Sequence, residues 1–227
     1  MKIDRARLLS TALTRAILPL ALLAAVMISL GFLTTHVLVH VWPFTIEGEA
    51  IRALVAARTL EWDRISDWVS QIAYIAGLII AWVVAGGIMR IVYHRWDEAL
   101  FLAAAVLSQL VVYVLTSRIV TRARPPVPRL DHFNPVRSWP SGHVAAALAL
   151  YGGIAVILAM HARRRGQMVA WWALCLVIPI AVGLSRMYRG MHYPSDVVGG
   201  FMIGFGCLWI LHRAMLTPAK QRGSVAS

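Results

Sequence analysis

The run VSQIAYIAGLIIAWVVAGGIM, residues 69–89, carries no charged side chain, and at about 1.5 Å of helical rise per residue it matches the roughly 30 Å hydrocarbon core of a bilayer. Lipid offers no partner to backbone N–H and C=O groups, so an uncharged run of this length predicts a membrane-spanning helix. Five more runs read the same way: Ile17 to Val41, Ala99 to Ser117, Val144 to Met160, Met168 to Ser185 and about Tyr193 to Leu211. The expected fold is all-α, an integral membrane bundle of six transmembrane helices forming one domain over residues 1–227. The first run follows Lys2, Arg5, Arg7 and Arg15, as in a signal peptide, but its apolar part is too long for such a segment and lacks a clear cleavage site, so it counts as a span.

Composition agrees. Of 227 residues, 59% are hydrophobic and only 14% charged, yet the formal net charge is +12. A soluble domain would carry about 25% charged residues, and a disordered basic tail would lack the apolar runs. No nucleic-acid partner is expected, because a basic binding face needs its Lys and Arg in one water-facing patch. Cys175 and Cys207 both lie inside apolar runs and read as packing residues. Trp42, Trp68, Trp96, Trp139, Trp171 and Trp209 fall near predicted span ends, where an aromatic belt would place them. Gly199-Gly200 with Gly204 predicts close helix packing in the last span.

The connections differ in kind. With residues 1–16 and 216–227 as cytoplasmic tails, residues 42–68 form an outer loop of mixed charge suited to a short amphipathic helix, and 118–143 form a Pro- and Arg-rich outer loop. The segments 90–98 and 161–167 are short. This topology places twelve of the 22 basic residues inside and ten outside, a weak bias by the positive-inside rule. The outer ten are not scattered: Arg118, Arg122, Arg124, Arg129, Arg137, Arg186 and Arg189 border two loops. An anionic ligand would account for that crowding.

Three stretches fall on this same face by helix counting: Arg124-Pro125 after span three, Pro140-Ser141-Gly142-His143 entering span four, and Ser185-Arg186 with His192 and Asp196 between spans five and six. Ser141 and Gly142 open a helix, whose unpaired N–H groups and dipole favour an anion, and His143 follows in the first turn. Arg124 and Arg186 offer planar forks suited to phosphate oxygens. His192 and Asp196 are four residues apart with Pro194 at a first helical position, so the carboxylate can orient one imidazole nitrogen and leave the other as nucleophile. Each element alone is ordinary: Pro-Ser-Gly is a common helix start, and a lone interfacial Arg is usually an anchor. Together they suit phosphoryl transfer, where positioning and charge stabilisation dominate.

These motifs resemble the three-part signature of the type 2 phosphatidic acid phosphatase superfamily, which includes membrane lipid phosphatases and soluble vanadium haloperoxidases. The resemblance spans residues 124–196 and implies a phosphohistidine on His192, orientation of His192 by Asp196 and protonation of the leaving oxygen by His143. It further implies phosphate binding by Arg124, Ser141, Gly142 and Arg186, with no metal or other cofactor. One position departs: the family has a Lys seven residues before the first Arg, and here that residue is Ser117. Arg118, about 100° around the helix, and Arg122 are the residues that could replace its charge.

The expected activity is a lipid phosphatase of the bacterial inner membrane, acting at the outer face on a membrane lipid phosphate such as undecaprenyl pyrophosphate, phosphatidylglycerol phosphate or phosphatidic acid. A lipid phosphotransferase using the same site and a non-enzymatic anionic-lipid binder or transporter are the alternatives. His36 and His40, one turn apart, lack an evident third metal ligand, and Asp131 and His132 could touch a head group but more often such loop residues are simply solvated.

Overall fold

The computed structural model describes residues 13–94, 96–131 and 137–216. Among these residues the principal helices are α1 (Thr14–His40), α2 (Glu47–Ala56), α3 (Leu60–Gln71), α4 (Ile75–Tyr93), α5 (Asp97–Ile119), α6 (Gly142–Met160), α7 (Arg165–Tyr188) and α8 (Pro194–Leu216). All but α2 and α3 are long and apolar enough to cross a membrane, as the sequence predicts. No strand occurs among the described residues; a single bridge between Arg122 and Arg137 ties together the two ends of the α5–α6 loop. Most of the two predicted tails and His132 lie outside the described residues.

The second span starts later than expected. Val69 to Gln71 belong to α3, and the helix is interrupted by a turn at 72–74, with Tyr74 in extended geometry, before α4 begins at Ile75. The polar face of α3 packs on α7, where Ser66 and Ser70 are buried and the Ser70 hydroxyl lies 2.8 Å from that of Ser185. The 42–68 connection therefore contains two helices rather than one, the second capped by Thr59, whose side chain accepts from the Trp62 N–H at 3.3 Å.

Side chains are distributed as lipid surroundings require. Ile75 is 77% exposed, and Ile80, Val84, Ile91, Leu107, Val177 and Phe205 all face outward. One end of the bundle holds a dense group of buried polar side chains: Ser66, Ser70, Arg122, Arg124, Ser138, Ser141, Arg186, Arg189, His192 and Asp196. Helix α8 packs along α6, α5 and α1. Close approach depends on its glycines, since a Cβ at Gly200 would lie 2.6 Å from the Ser141 carbonyl and one at Gly199 would lie 2.7 Å from the Trp139 ring. Cys175 and Cys207 are buried free thiols, as packing residues should be. Trp139 corrects the belt assignment. It is only 3% exposed and donates its indole N–H to the Met27 carbonyl at 3.1 Å, so it fills the core between α1 and α8 while Trp42, Trp68, Trp96 and Trp209 stay exposed.

Candidate active site

The polar end of the bundle is assembled by three chain segments. After α5 the backbone becomes extended and carries Arg122 and Arg124 inward. Next, Ser141 precedes the first turn of α6, its backbone N–H donating to the Asp196 carbonyl at 2.9 Å. Then α7 ends in a turn at Gly190, whose φ of +73° suits glycine and where a Cβ would approach Val127 to 2.9 Å. That turn delivers His192 and opens α8 at Pro194.

His192 is held by its neighbours on both ring nitrogens. Its Nδ1 lies 2.8 Å from the Ser138 carbonyl, which can accept only from a protonated Nδ1. The lone pair is then on Nε2, which lies 3.4 Å from an Arg124 Nη1 that also donates to the Met191 carbonyl. Burial, with the charges of Arg124 and Arg186 assisting and Asp196 opposing, brings the His192 imidazole down to about 4, so it is neutral near pH 7. A buried neutral imidazole whose unprotonated Nε2 faces a guanidinium group has the form that a nucleophile at an anion site requires.

Asp196 is fully buried and reaches His192 less directly than the spacing suggests. Its Oδ2 is 3.7 Å from Nδ1, beyond hydrogen-bond range, and instead accepts from the Ser138 hydroxyl and, at 2.9 Å, from the Tyr193 N–H at the start of α8. Ser138 is thus the link, its carbonyl on the imidazole and its hydroxyl on the carboxylate. Asp196 Oδ1 accepts from Arg122 Nη1 at 2.6 Å. Arg122 also donates to Glu47 Oε2 at 3.1 Å and stacks over the Tyr193 ring at 4.5 Å. Glu47, from the first turn of α2, accepts from the Ser195 N–H at 2.7 Å and the Ser195 hydroxyl at 2.8 Å. Every charge in this chain Glu47–Arg122–Asp196 is buried and paired, the condition under which buried charges are tolerated.

Arg186 is 1% exposed and donates to Asp131 Oδ2 at 2.7 Å and to the Ser70 hydroxyl at 3.3 Å. Burial and the nearby Arg186 charge push the Arg124 guanidinium down to about 10, leaving it cationic at neutral pH. His143 stands in the first turn of α6, edge-on to Tyr74 at 4.7 Å between ring centroids, within electrostatic reach of Arg186, His192 and Arg124. The Ser141 hydroxyl is fully buried and has no hydrogen-bond partner among the described residues. Gly142 is packed against Tyr113, where a Cβ would come within 2.8 Å of the ring. Two guanidinium groups, a helix start with an unsatisfied hydroxyl, and two imidazoles can bind a phosphoryl group, attack it and protonate what leaves.

Two residues offered for the missing Lys charge lie elsewhere. Helix α5 stays regular through Ile119, so Arg118 keeps its place on the exposed side while Ser117 is buried and directs its hydroxyl to the Val114 carbonyl at 3.4 Å. Arg122 is inside, but both its ion pairs are to carboxylates, so it braces Asp196 rather than the Arg124–Arg186 side. His36 stacks on Phe32, and no group of three or more metal-ligating side chains occurs among the described residues.

A family model described as the PAP2 superfamily matches residues 98–219. Phosphatidylglycerophosphatase B of Bacillus subtilis is 31% identical over 179 residues, covering 77% of this chain and 86% of the relative. An undecaprenyl-diphosphatase of Sulfolobus acidocaldarius is 29% identical over 105 residues, 46% of each chain. In three dimensions the chain superposes on the crystal structure of a transmembrane PAP2-type phosphatidylglycerolphosphate phosphatase from Bacillus subtilis with a TM-score of 0.71, at 23% identity over 92% of this chain and 96% of that one.

Proposed function

The chain belongs to the PAP2 superfamily and is a multi-pass membrane lipid phosphatase, and from that premise we propose that it hydrolyses its lipid phosphate through a phosphohistidine on His192, without a metal, at the outer face of the bacterial inner membrane. The observation that carries the chemistry is the Ser138 carbonyl on Nδ1, which fixes the tautomer that leaves Nε2 unprotonated, with its lone pair toward Arg124. Nε2 attacks phosphorus, the bond from phosphorus to the lipid oxygen breaks, and His143 gives that oxygen its proton. Water then attacks the phosphohistidine, His143 takes the water proton, the P–N bond breaks and orthophosphate leaves. Arg124, Arg186, the Ser141 hydroxyl and the backbone N–H of Gly142 hold the phosphate oxygens through both steps.

In this orientation both tails lie in the cytoplasm and the Arg-rich end of the bundle lies in the outer leaflet interface. There a lipid can present its head group while its tail stays among the outward-facing Ile and Leu side chains. Phosphatidylglycerol phosphate and undecaprenyl pyrophosphate are the substrates the relatives favour, since each ends in a phosphate that extends beyond the hydrocarbon. The test is phosphate release by the purified chain in detergent across these two lipids and phosphatidic acid, first without and then with a chelator. Release from at least one lipid is expected, and release from none contradicts the reading; loss of release on adding the chelator contradicts the metal-free step.

The departure at Ser117 yields a separate expectation. Arg118→Ala changes a surface side chain outside the cluster, so kcat and KM should stay within about twofold of wild type. A tenfold rise in KM would mean that Arg118 reaches the phosphate.

A further inference from the structure

Asp131 sits in the loop between the Arg124 segment and the start of α6, and its carboxylate lies on the motif guanidinium of Arg186. The two arginines it touches hold it unequally. Arg189 forks it, with Nε at 3.1 Å from Oδ1 and 3.0 Å from Oδ2 and Nη2 also on Oδ1, whereas Arg186 contributes one contact, from Nη1 to Oδ2. Burial works against the carboxylate charge, but the Arg189 hydrogen bonds and the Arg186 charge outweigh it and hold the group below the ordinary carboxylate range. The loop backbone is fixed independently of this side chain: the Leu130 N–H donates to the Arg189 carbonyl at 3.2 Å, and Arg58 Nη1 donates to the Pro128 carbonyl at 2.7 Å.

We propose that Asp131 is a tethered competitor for the phosphate site, its carboxylate occupying Arg186 until a phosphate displaces it and retaking Arg186 as orthophosphate leaves. This rests on the phosphatase reading, in which Arg186 binds phosphate. Arg189 keeps the carboxylate nearby during the exchange, so no charge is left unpaired at either stage. The consequence is an affinity set below what the arginines alone would give, which speeds release of a product that carries the same charged group as the substrate.

The experiment is orthophosphate binding to the purified full-length chain at pH 8, by calorimetry and by product inhibition of phosphate release. D131N keeps an oxygen for Arg189 but removes the charge, and its dissociation constant for orthophosphate should fall about tenfold. D131E keeps the charge and should bind as weakly as wild type, within about twofold. D131S serves the same purpose should D131N fail to fold, since the loop anchors at Leu130 and Pro128 remain. A merely structural Asp131 predicts the opposite, weaker binding on substitution. Unchanged or weaker orthophosphate binding in D131N and D131S, or equally tight binding in D131E, overturns the proposal. Because the calorimetric arm needs no turnover, that failure differs from failure of the phosphatase reading, which would show as no phosphate release by wild type from any lipid.

Discussion

His192→Ala is expected to lower phosphate release by about 10⁴-fold or more while leaving the protein folded. In the proposed mechanism the imidazole forms the covalent intermediate, while Arg124, Arg186 and Ser141, all still present in the variant, bind the substrate. KM should therefore move far less than kcat, and the variant should still bind orthophosphate. Stability should change little in the destabilising direction, because a neutral ring is replaced by a smaller neutral group and no buried charge loses its partner. A reduction of only about tenfold would show that His192 positions or polarises and that another group attacks phosphorus. The assay is steady-state phosphate release on the best lipid of the panel, with thermal unfolding in detergent run on the same preparations.

Arg122→Ala is the second substitution with a large expected effect, and it acts on fold and activity together. It leaves Glu47 and Asp196 as two buried carboxylates without the cation between them. Removing one partner of such a buried pair typically destabilises by about 3–5 kcal/mol, because the desolvated charge that remains has no compensation. The activity loss should follow, since Asp196 sets Ser138, and Ser138 sets the His192 tautomer. Glu47→Gln combined with Arg122→Met removes two of the three charges, leaving only Asp196 unpaired, and should recover part of the unfolding temperature lost in Arg122→Ala. Arg122→Ala that unfolds at the wild-type temperature would mean the network carries no such energy. Unfolding temperature and kcat on the two variants settle it.

The sequence was most legible where physics is simplest. Five uncharged apolar runs and a sixth with the single charge of Asp196 mark six spans, and span parity alone brought Arg124, Ser141, Arg186 and His192 to one face, which the fold places together. What escaped was what depends on long-range packing. Glu47 reaches Ser195 across 148 residues of sequence, and nothing local marks it except an acidic residue opening a helix on the correct side. Ser138 acts largely through its backbone carbonyl, an atom every residue possesses. Trp139 shows the same limit from the other direction: residue type favours an interface, but the glycines Gly31 and Gly199 make room for it in the core. Asp131 read as a solvated loop residue because the charges it meets, on Arg186 and Arg189, are contributed by a different helix end.

The proposed mechanism turns on transfer of phosphorus to His192 before water reaches it. Stereochemistry at phosphorus tests this without requiring the intermediate to accumulate. A lipid phosphorothioate made chiral with oxygen isotopes, turned over by the wild-type chain in isotopically labelled water, should give a product with retained configuration, because two in-line displacements invert twice. Inversion would mean that water attacks the lipid phosphate directly, and would contradict the assignment of His192 as nucleophile.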